Sequence, residues 1–191
     1  YIGFTRSLTE NGYKIVLSEL VPDESGLMRM DYADMEKKIK ENDVKVAIVC
    51  NPHNPTGRVW EKWELEKAME VYERCGVWVI SDEIWSDIIL NGNKHVPTQS
   101  ANEYARNHTV AFYALTKTFN LGGFASAYHI IYNQELCARV TARSHAAEYN
   151  NMNVLSMHAL LGGYTPEGEE WLGELREVLS ANVNLFCDYF A

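Results

Sequence analysis

Three short runs rich in β-branched residues, Val44 to Cys50, Val77 to Ser81 and Thr109 to Leu115, constrain the fold more than any other feature of the chain. Apolar runs of this length that lack alternation suit strands buried on both faces. Between the first two, Glu61 to Cys75 places Leu65, Ala68, Met69, Tyr72 and Cys75 on one helical face, and Gly76 ends that helix. Strands alternating with helices pair in parallel, so the expected architecture is α/β, a three-layer sandwich around a mostly parallel sheet.

The remaining segments extend this pattern. Tyr1 to Asn11 reads as a helix, Tyr13 to Leu20 alternates well enough for a strand, and Pro22 to Arg29 is rich in turn residues. Met35 and Ile39 mark a short amphipathic helix that Asp31 or Asp34 caps. Ala125 to Tyr132 is a fourth strand, and Gln134 onward is helical. After the break at Gly162-Gly163, Pro166 opens a last helix striped by Trp171, Leu172, Leu175, Val178, Leu179, Val183 and Phe186.

With 26 acidic against 17 basic residues and no basic stripe, the chain is a poor partner for nucleic acid or an anionic membrane surface. No apolar run reaches membrane-spanning length, and no signal peptide is visible in these residues. Cys50, Cys75, Cys137 and Cys187 are too widely spaced for a zinc motif or a disulfide framework. They suit free thiols in a reducing cytoplasm, the expected location. A first residue that is Tyr rather than Met, and a last residue inside a helical pattern, read as a segment cut at both ends.

Each buried run is followed by a polar group able to do chemistry. Asn54 lies in Asn51-Pro52-His53-Asn54-Pro55-Thr56-Gly57, which two prolines and a glycine make a rigid loop. Asp82 ends the second run, and Lys117 follows the third on a short turn before Gly122-Gly123. In a parallel sheet these three strand ends share one edge, where ligands bind. A lysine held there among apolar neighbours has its ammonium disfavoured, and its amine can then form a Schiff base with an aldehyde. Each residue alone also has a plain reading: a surface lysine, a solvated acid, an amide shaping its turn. The coincidence of amide, acid and amine at corresponding strand ends favours a site. His53 is explained by loop geometry, Trp60, Trp63 and Trp171 by packing or an interface, and Glu167, Glu169 and Glu170 by a helix N-terminus.

Here the chain resembles the fold-type-I pyridoxal-phosphate enzymes of the class I/II aminotransferase group, and within it the cystathionine β-lyase-like (cysteine-S-conjugate β-lyase) branch. The resemblance rests on NPHNPTGRVW at 51–60, SDEIWSDIIL at 81–90 and TKTFNLGG at 116–123, in the family's order and similar spacing, with GEEWLGELREVLSAN at 168–182 helping to choose the branch. It covers practically the whole chain. It implies that residues 1–191 are a cofactor-binding segment of the large domain, with the helix of 164–191 leading toward a small domain, and that active sites form in a homodimer. The cofactor implied is pyridoxal 5'-phosphate and the substrate a small amino acid.

By the same resemblance Lys117 would hold the cofactor's aldehyde and later move the proton at the substrate α-carbon. Asp82 would keep the pyridine nitrogen protonated, Asn54 would hydrogen-bond the phenolic oxygen, and Tyr1 would stack on the ring. Two departures bear on this. Ala114 stands where the family usually has a serine that helps hold the phosphate, leaving Thr116 as the nearby hydroxyl. Trp85 stands where the branch commonly has His, or aminotransferases Tyr, near the phenolic oxygen; an indole donates but never accepts. The phosphate loop and the arginine for the substrate carboxylate are expected outside these residues, so the segment alone should turn over weakly or not at all. The expected reaction is β-elimination of cystathionine or another L-cysteine S-conjugate to thiol, pyruvate and ammonia. Transamination, and a non-catalytic binding or regulatory relative, are the alternatives.

Overall fold

In a computed structural model, which describes residues 1–149 and 151–190, the organising element is a four-stranded sheet whose strands neighbour one another in chain order. Strands β3 (Val46–Cys50), β4 (Trp78–Asp82) and β5 (Thr109–Tyr113) are mutually parallel. The expectation of an α/β fold around a mostly parallel sheet holds. β6 (Tyr128–Ile130) runs antiparallel to β5. The segment between them has no long crossover helix to carry the chain back to the other end of the sheet. It has only the one-turn helix α5 (Leu115–Thr118) and a 3₁₀ turn ending at Ala125 in a left-handed conformation (φ 44°).

Side-chain alternation divides the sheet into unlike faces. Val49, Val79, Ser81, Thr109 and Ala111 point to one side and are buried. Helices α2 (Tyr32–Asn42), α3 (Lys62–Cys75) and α4 (Glu103–His108) supply Met35, Ile39, Leu65, Ala68, Met69 and Ala105 to the same core. On the other side Ile48, Cys50, Ile80, Asp82 and Phe112 are only half-buried, and Val46 on the outer strand is exposed. The expectation that Val44 to Cys50 is buried on both faces is thus corrected. β3 has one neighbouring strand and a helical cover on one face only.

α3 is defined at both ends by its sequence. Glu64 reaches back to accept from the Glu61 amide (2.9 Å), a capping box, and Gly76 adopts φ +65°, which an L side chain rarely tolerates. Asp31, rather than Asp34, caps α2, by accepting from the Asp34 amide at 3.0 Å. The expected strand at Tyr13 to Leu20 does not form. Tyr13 and Leu17 are exposed, so their alternation has no face to bury, and pairing begins only at Leu20. There β1 (Leu20–Pro22) and β2 (Met28–Met30) make a hairpin whose turn is tied by Asp23, which accepts from Ser25, Leu27 and Arg29.

Helix α1 (Ile2–Glu10) precedes the hairpin, and α6 (Gln134–Ala146), α7 (Val154–Gly163) and α8 (Pro166–Phe190) follow the sheet. Helix α8 starts at Pro166 as expected; Ala191, the last residue of the expected 164–191 helix, lies outside the described residues. Of its apolar stripe only Leu172 is buried, while Val178, Val183 and Phe186 are exposed.

Leu65 is fully buried, so Leu65→Ala in the full-length protein should cost about 3 kcal/mol, read as a lower urea midpoint at unchanged slope. Gly76→Ala should cost about 1 kcal/mol through its left-handed backbone alone.

Candidate active site

Strands β3, β4 and β5 end together because their register is even: Cys50 pairs with Asp82, and Asp82 with Phe112. Cys50 and Asp82 therefore project from adjacent strands onto the half-open face. The Asp82 carboxylate accepts from the Ile84 amide at 3.1 Å and takes no other hydrogen bond among the described residues. Burial pushes its carboxyl above the ordinary range. The Ile84 amide pulls it back, the charge of Glu83 adds to the rise, and the Lys117 ammonium opposes it.

Lys117 lies on α5 rather than on a bare turn, and it is exposed rather than wrapped by apolar neighbours. Leu115 and Thr118 take the buried positions of that single turn, so the lysine between them faces outward. Its ammonium sits 5.6 Å from the centre of the Trp85 ring, a cation–π distance, and forms no ion pair among the described residues. The Trp85 N–H finds no acceptor there either. Asp87 steadies the turn from the β4 side: it accepts from Thr118 Oγ1 at 2.8 Å and from Tyr164 at 3.2 Å, while its carbonyl accepts from Arg176 at 2.8 Å. Thr116 is half-buried, and its carbonyl accepts from the Leu121 amide (2.9 Å). Ala114 is buried at the head of α5 and offers no side-chain cap.

The loop after β3 is held from three directions. Cys50 Sγ accepts from the Asn54 amide at 3.4 Å and donates to the Pro52 carbonyl at 3.2 Å. Trp60 Nε1 donates to the Cys50 carbonyl at 2.9 Å, and the Asn51 amide to the Asp82 carbonyl, also at 2.9 Å. Arg58 then joins the loop to the buried Glu64 at 2.5 Å, and Arg29 meets the same carboxylate at 2.9 Å. These ties place Asn54 beside Cys50 and hence beside Asp82, and its side-chain amide is unpartnered among the described residues. His53 Nδ1 pairs with Thr56 Oγ1 at 2.8 Å and its ring lies edge-on to Trp60, so loop geometry accounts for it.

Tyr1, at the head of α1, is 61% exposed and its ring packs edge-on against Phe4. At the loop after β3, burial holds the Cys50 thiol above its ordinary value and the His53 imidazole below it. Asn54 is tied to Cys50, the register partner of Asp82, Asp82 feels the charge of Lys117, and Lys117 lies against Trp85. Cys50, Asp87, Thr118 and Glu83 were not singled out from the sequence. A signal for Glu83 existed in the strand period: residues flanking an active acid on one strand alternate between its face and the opposite one.

A model of the aminotransferase class I and II family matches residues 1–190. The chain belongs to that family. The cystathionine beta-lyase PatB of Bacillus subtilis strain 168 is 33% identical over 184 residues, covering 96% of this chain and 47% of that protein. Cystalysin from Treponema denticola, whose structure contains pyridoxal 5'-phosphate, superposes with a TM-score of 0.92 at 31% identity, over 100% of this chain and 48% of that one. The PLP-bound C-S lyase from Staphylococcus hominis gives a TM-score of 0.88 at 32% identity, over 97% of this chain and 46% of that one. The chain thus spans about half the length of these relatives.

Because the Asp82 carboxyl is raised, the folded chain binds its proton more tightly than the unfolded chain does. Its charge therefore weakens folding as the pH climbs past 3.8, the ordinary value. Asp82→Asn should raise the melting temperature at pH 7, and the gain should vanish in a titration carried below that value.

Proposed function

We propose that this chain is part of a pyridoxal-phosphate enzyme that cleaves the carbon–sulfur bond of cystathionine or another L-cysteine S-conjugate, releasing thiol, pyruvate and ammonia. The observation that carries this reading is three polar groups at one sheet edge with hydrogen-bonding capacity left over among the described residues: the Asp82 carboxylate, which accepts from the Ile84 amide alone, the Asn54 side-chain amide, and the Lys117 ammonium, which meets only the Trp85 ring. They fit the cofactor's chemistry. A half-buried carboxylate with a spare oxygen suits a protonated ring nitrogen, an amide suits a phenolic oxygen, and an exposed amine is free to meet an aldehyde. When bound, pyridoxal phosphate supplies an electron sink for the charge left at the substrate α-carbon.

The chain's own residues then have distinct tasks. The Lys117 amine would hold the aldehyde carbon and, once displaced by the substrate amine, take the α-proton. Asp82 would keep the ring nitrogen protonated, and Asn54 would donate to the phenolic oxygen. Trp85, against Lys117, would limit water around the ammonium and contribute no acceptor. Thr116 would be the hydroxyl nearest the lysine, and Tyr1 the aromatic covering the ring. Residues 1–191 would form a segment of the large domain, with 164–191 leading toward the small domain. A homodimer in the cytoplasm belongs to the same reading, and the exposed Val178, Val183 and Phe186 of α8 support a partner surface there. No helix among the described residues is long and apolar enough to cross a membrane.

The full-length protein, given pyridoxal phosphate and L-cystathionine without a keto acid, should release pyruvate, measured by coupled reduction. Conversion of an added keto acid to its amino acid, with no pyruvate released from L-cystathionine, would make it an aminotransferase, and absence of a visible cofactor band would make it a non-catalytic relative. Lys117→Ala should lower turnover by about 10³-fold or more, since one group serves both as nucleophile and as proton carrier.

A further inference from the structure

Glu83 follows Asp82 in sequence, is completely buried, and has no part in the chemistry above. Period-two alternation turns it to the sealed side of the sheet, away from Asp82. There it is anchored by four donors. Ser81 Oγ and the Thr98 amide reach Oε1, both at 3.0 Å. His95 Nε2 at 2.7 Å and the Tyr113 hydroxyl at 2.9 Å reach Oε2. The Glu83 amide also donates to the Phe112 carbonyl at 2.9 Å. One residue thus joins the end of β4 to the end of β5 twice, through backbone and side chain. The join sits one residue beyond Asp82 and one residue before Ala114, which opens the turn carrying Lys117.

A buried carboxylate is an expensive way to hold two strands together, since apolar packing of similar volume does so without desolvating a charge. What the carboxylate adds is direction: four donors on two oxygens admit a single orientation. The Tyr113 contact is the informative one. Tyr113 stacks on Tyr128 of the antiparallel strand (5.4 Å between centroids), so its hydroxyl links Glu83 to the strand pair that frames the lysine turn.

We propose that Glu83 is a positioning residue for the cofactor site, clamping the ends of β4 and β5 so that Asp82 and Lys117 keep one fixed separation, with Tyr113 as the leg on the lysine side. The inference rests on the cofactor reading above and adds to it a residue that never meets the cofactor.

The test uses the full-length protein loaded with pyridoxal phosphate, in the variants Glu83→Gln, Tyr113→Phe and the double. Four quantities are read: the cofactor dissociation constant, the pH midpoint of the visible band, kcat and KM separately, and the melting temperature without cofactor. Glu83→Gln should weaken cofactor binding and lower kcat, each about tenfold, the order expected for losing one charged hydrogen-bond set, at nearly constant KM. The pH midpoint should move by about half a unit or more; Glu83→Gln also removes a charge that raises Asp82, so Tyr113→Phe, which keeps that charge, is the variant whose midpoint reads the geometry. Tyr113→Phe should do the same to a smaller extent, and should add nothing in the Glu83→Gln background. A lower melting temperature with wild-type dissociation constant, midpoint and kcat would overturn the proposal, as would additive effects in the double variant. Should Glu83→Gln fail to fold, Tyr113→Phe alone decides: an unmoved midpoint and kcat overturn the clamp, a shift in both supports it. A wild-type protein without any visible band removes the cofactor reading itself, and with it this inference; a wild-type band with unresponsive variants removes this inference only.

Discussion

Everything at the sheet edge follows from the two-residue repeat of an extended chain. Ser81, Asp82 and Glu83 are consecutive, yet the repeat sends the first and third into the sealed core and the second onto the half-open face. The two acids then meet opposite fates. Glu83 receives four donors and no solvent; Asp82 receives one backbone amide and keeps an oxygen for something else. A one-residue slip of β4 against its neighbours would exchange these roles, burying the unpaired acid and exposing the paired one. The register of Cys50 with Asp82 and of Asp82 with Phe112 is therefore the constraint on which the site depends.

The loop from Asn51 to Trp60 solves a related problem, which is to hold an amide beside that acid without a strand of its own. Its prolines restrict the backbone, but restriction alone does not aim it. Aiming comes from the ends. At one end the Cys50 thiol and carbonyl bind Asn54, Pro52 and Trp60; at the other Arg58 reaches Glu64. Glu64 also closes the capping box of α3 and takes Arg29 from the hairpin. A single buried carboxylate thus ties the loop, the helix and β2 to one point. Two guanidiniums and a backbone amide around it satisfy the charge that burial would otherwise penalise.

Much of this could be read from the residues. The strands of the four-stranded sheet, the α3 face ending at Gly76 and the start of α8 all follow from periodicity and punctuation. What could not be read were properties set by neighbours distant in sequence. Tyr13 to Leu20 alternates properly but meets no surface to cover its apolar side. β3 has a central strand's composition but an edge position. Lys117 follows an apolar run, yet a single helical turn rotates it outward over Trp85, so proximity in sequence to apolar residues did not mean burial among them. Glu83 was not singled out because its partners His95, Thr98 and Tyr113 come from later in the chain.

The contrast between paired and unpaired groups is what gives the arrangement its functional meaning. A fold selected only for stability would give Asp82 a donor set like that of Glu83, or replace it, because its charge is raised in energy by burial and by the acid beside it. Instead the stabilising contacts are concentrated one residue away and on the reverse face. There they stiffen the strand ends without occupying the groups that a ligand would use. The Lys117 ammonium is treated in the same manner: Thr118 and Asp87 hold the turn, and the amine itself is left to an aromatic face. Local consistency fails at those positions. That is the pattern expected where binding free energy, rather than folding, supplies the missing partners.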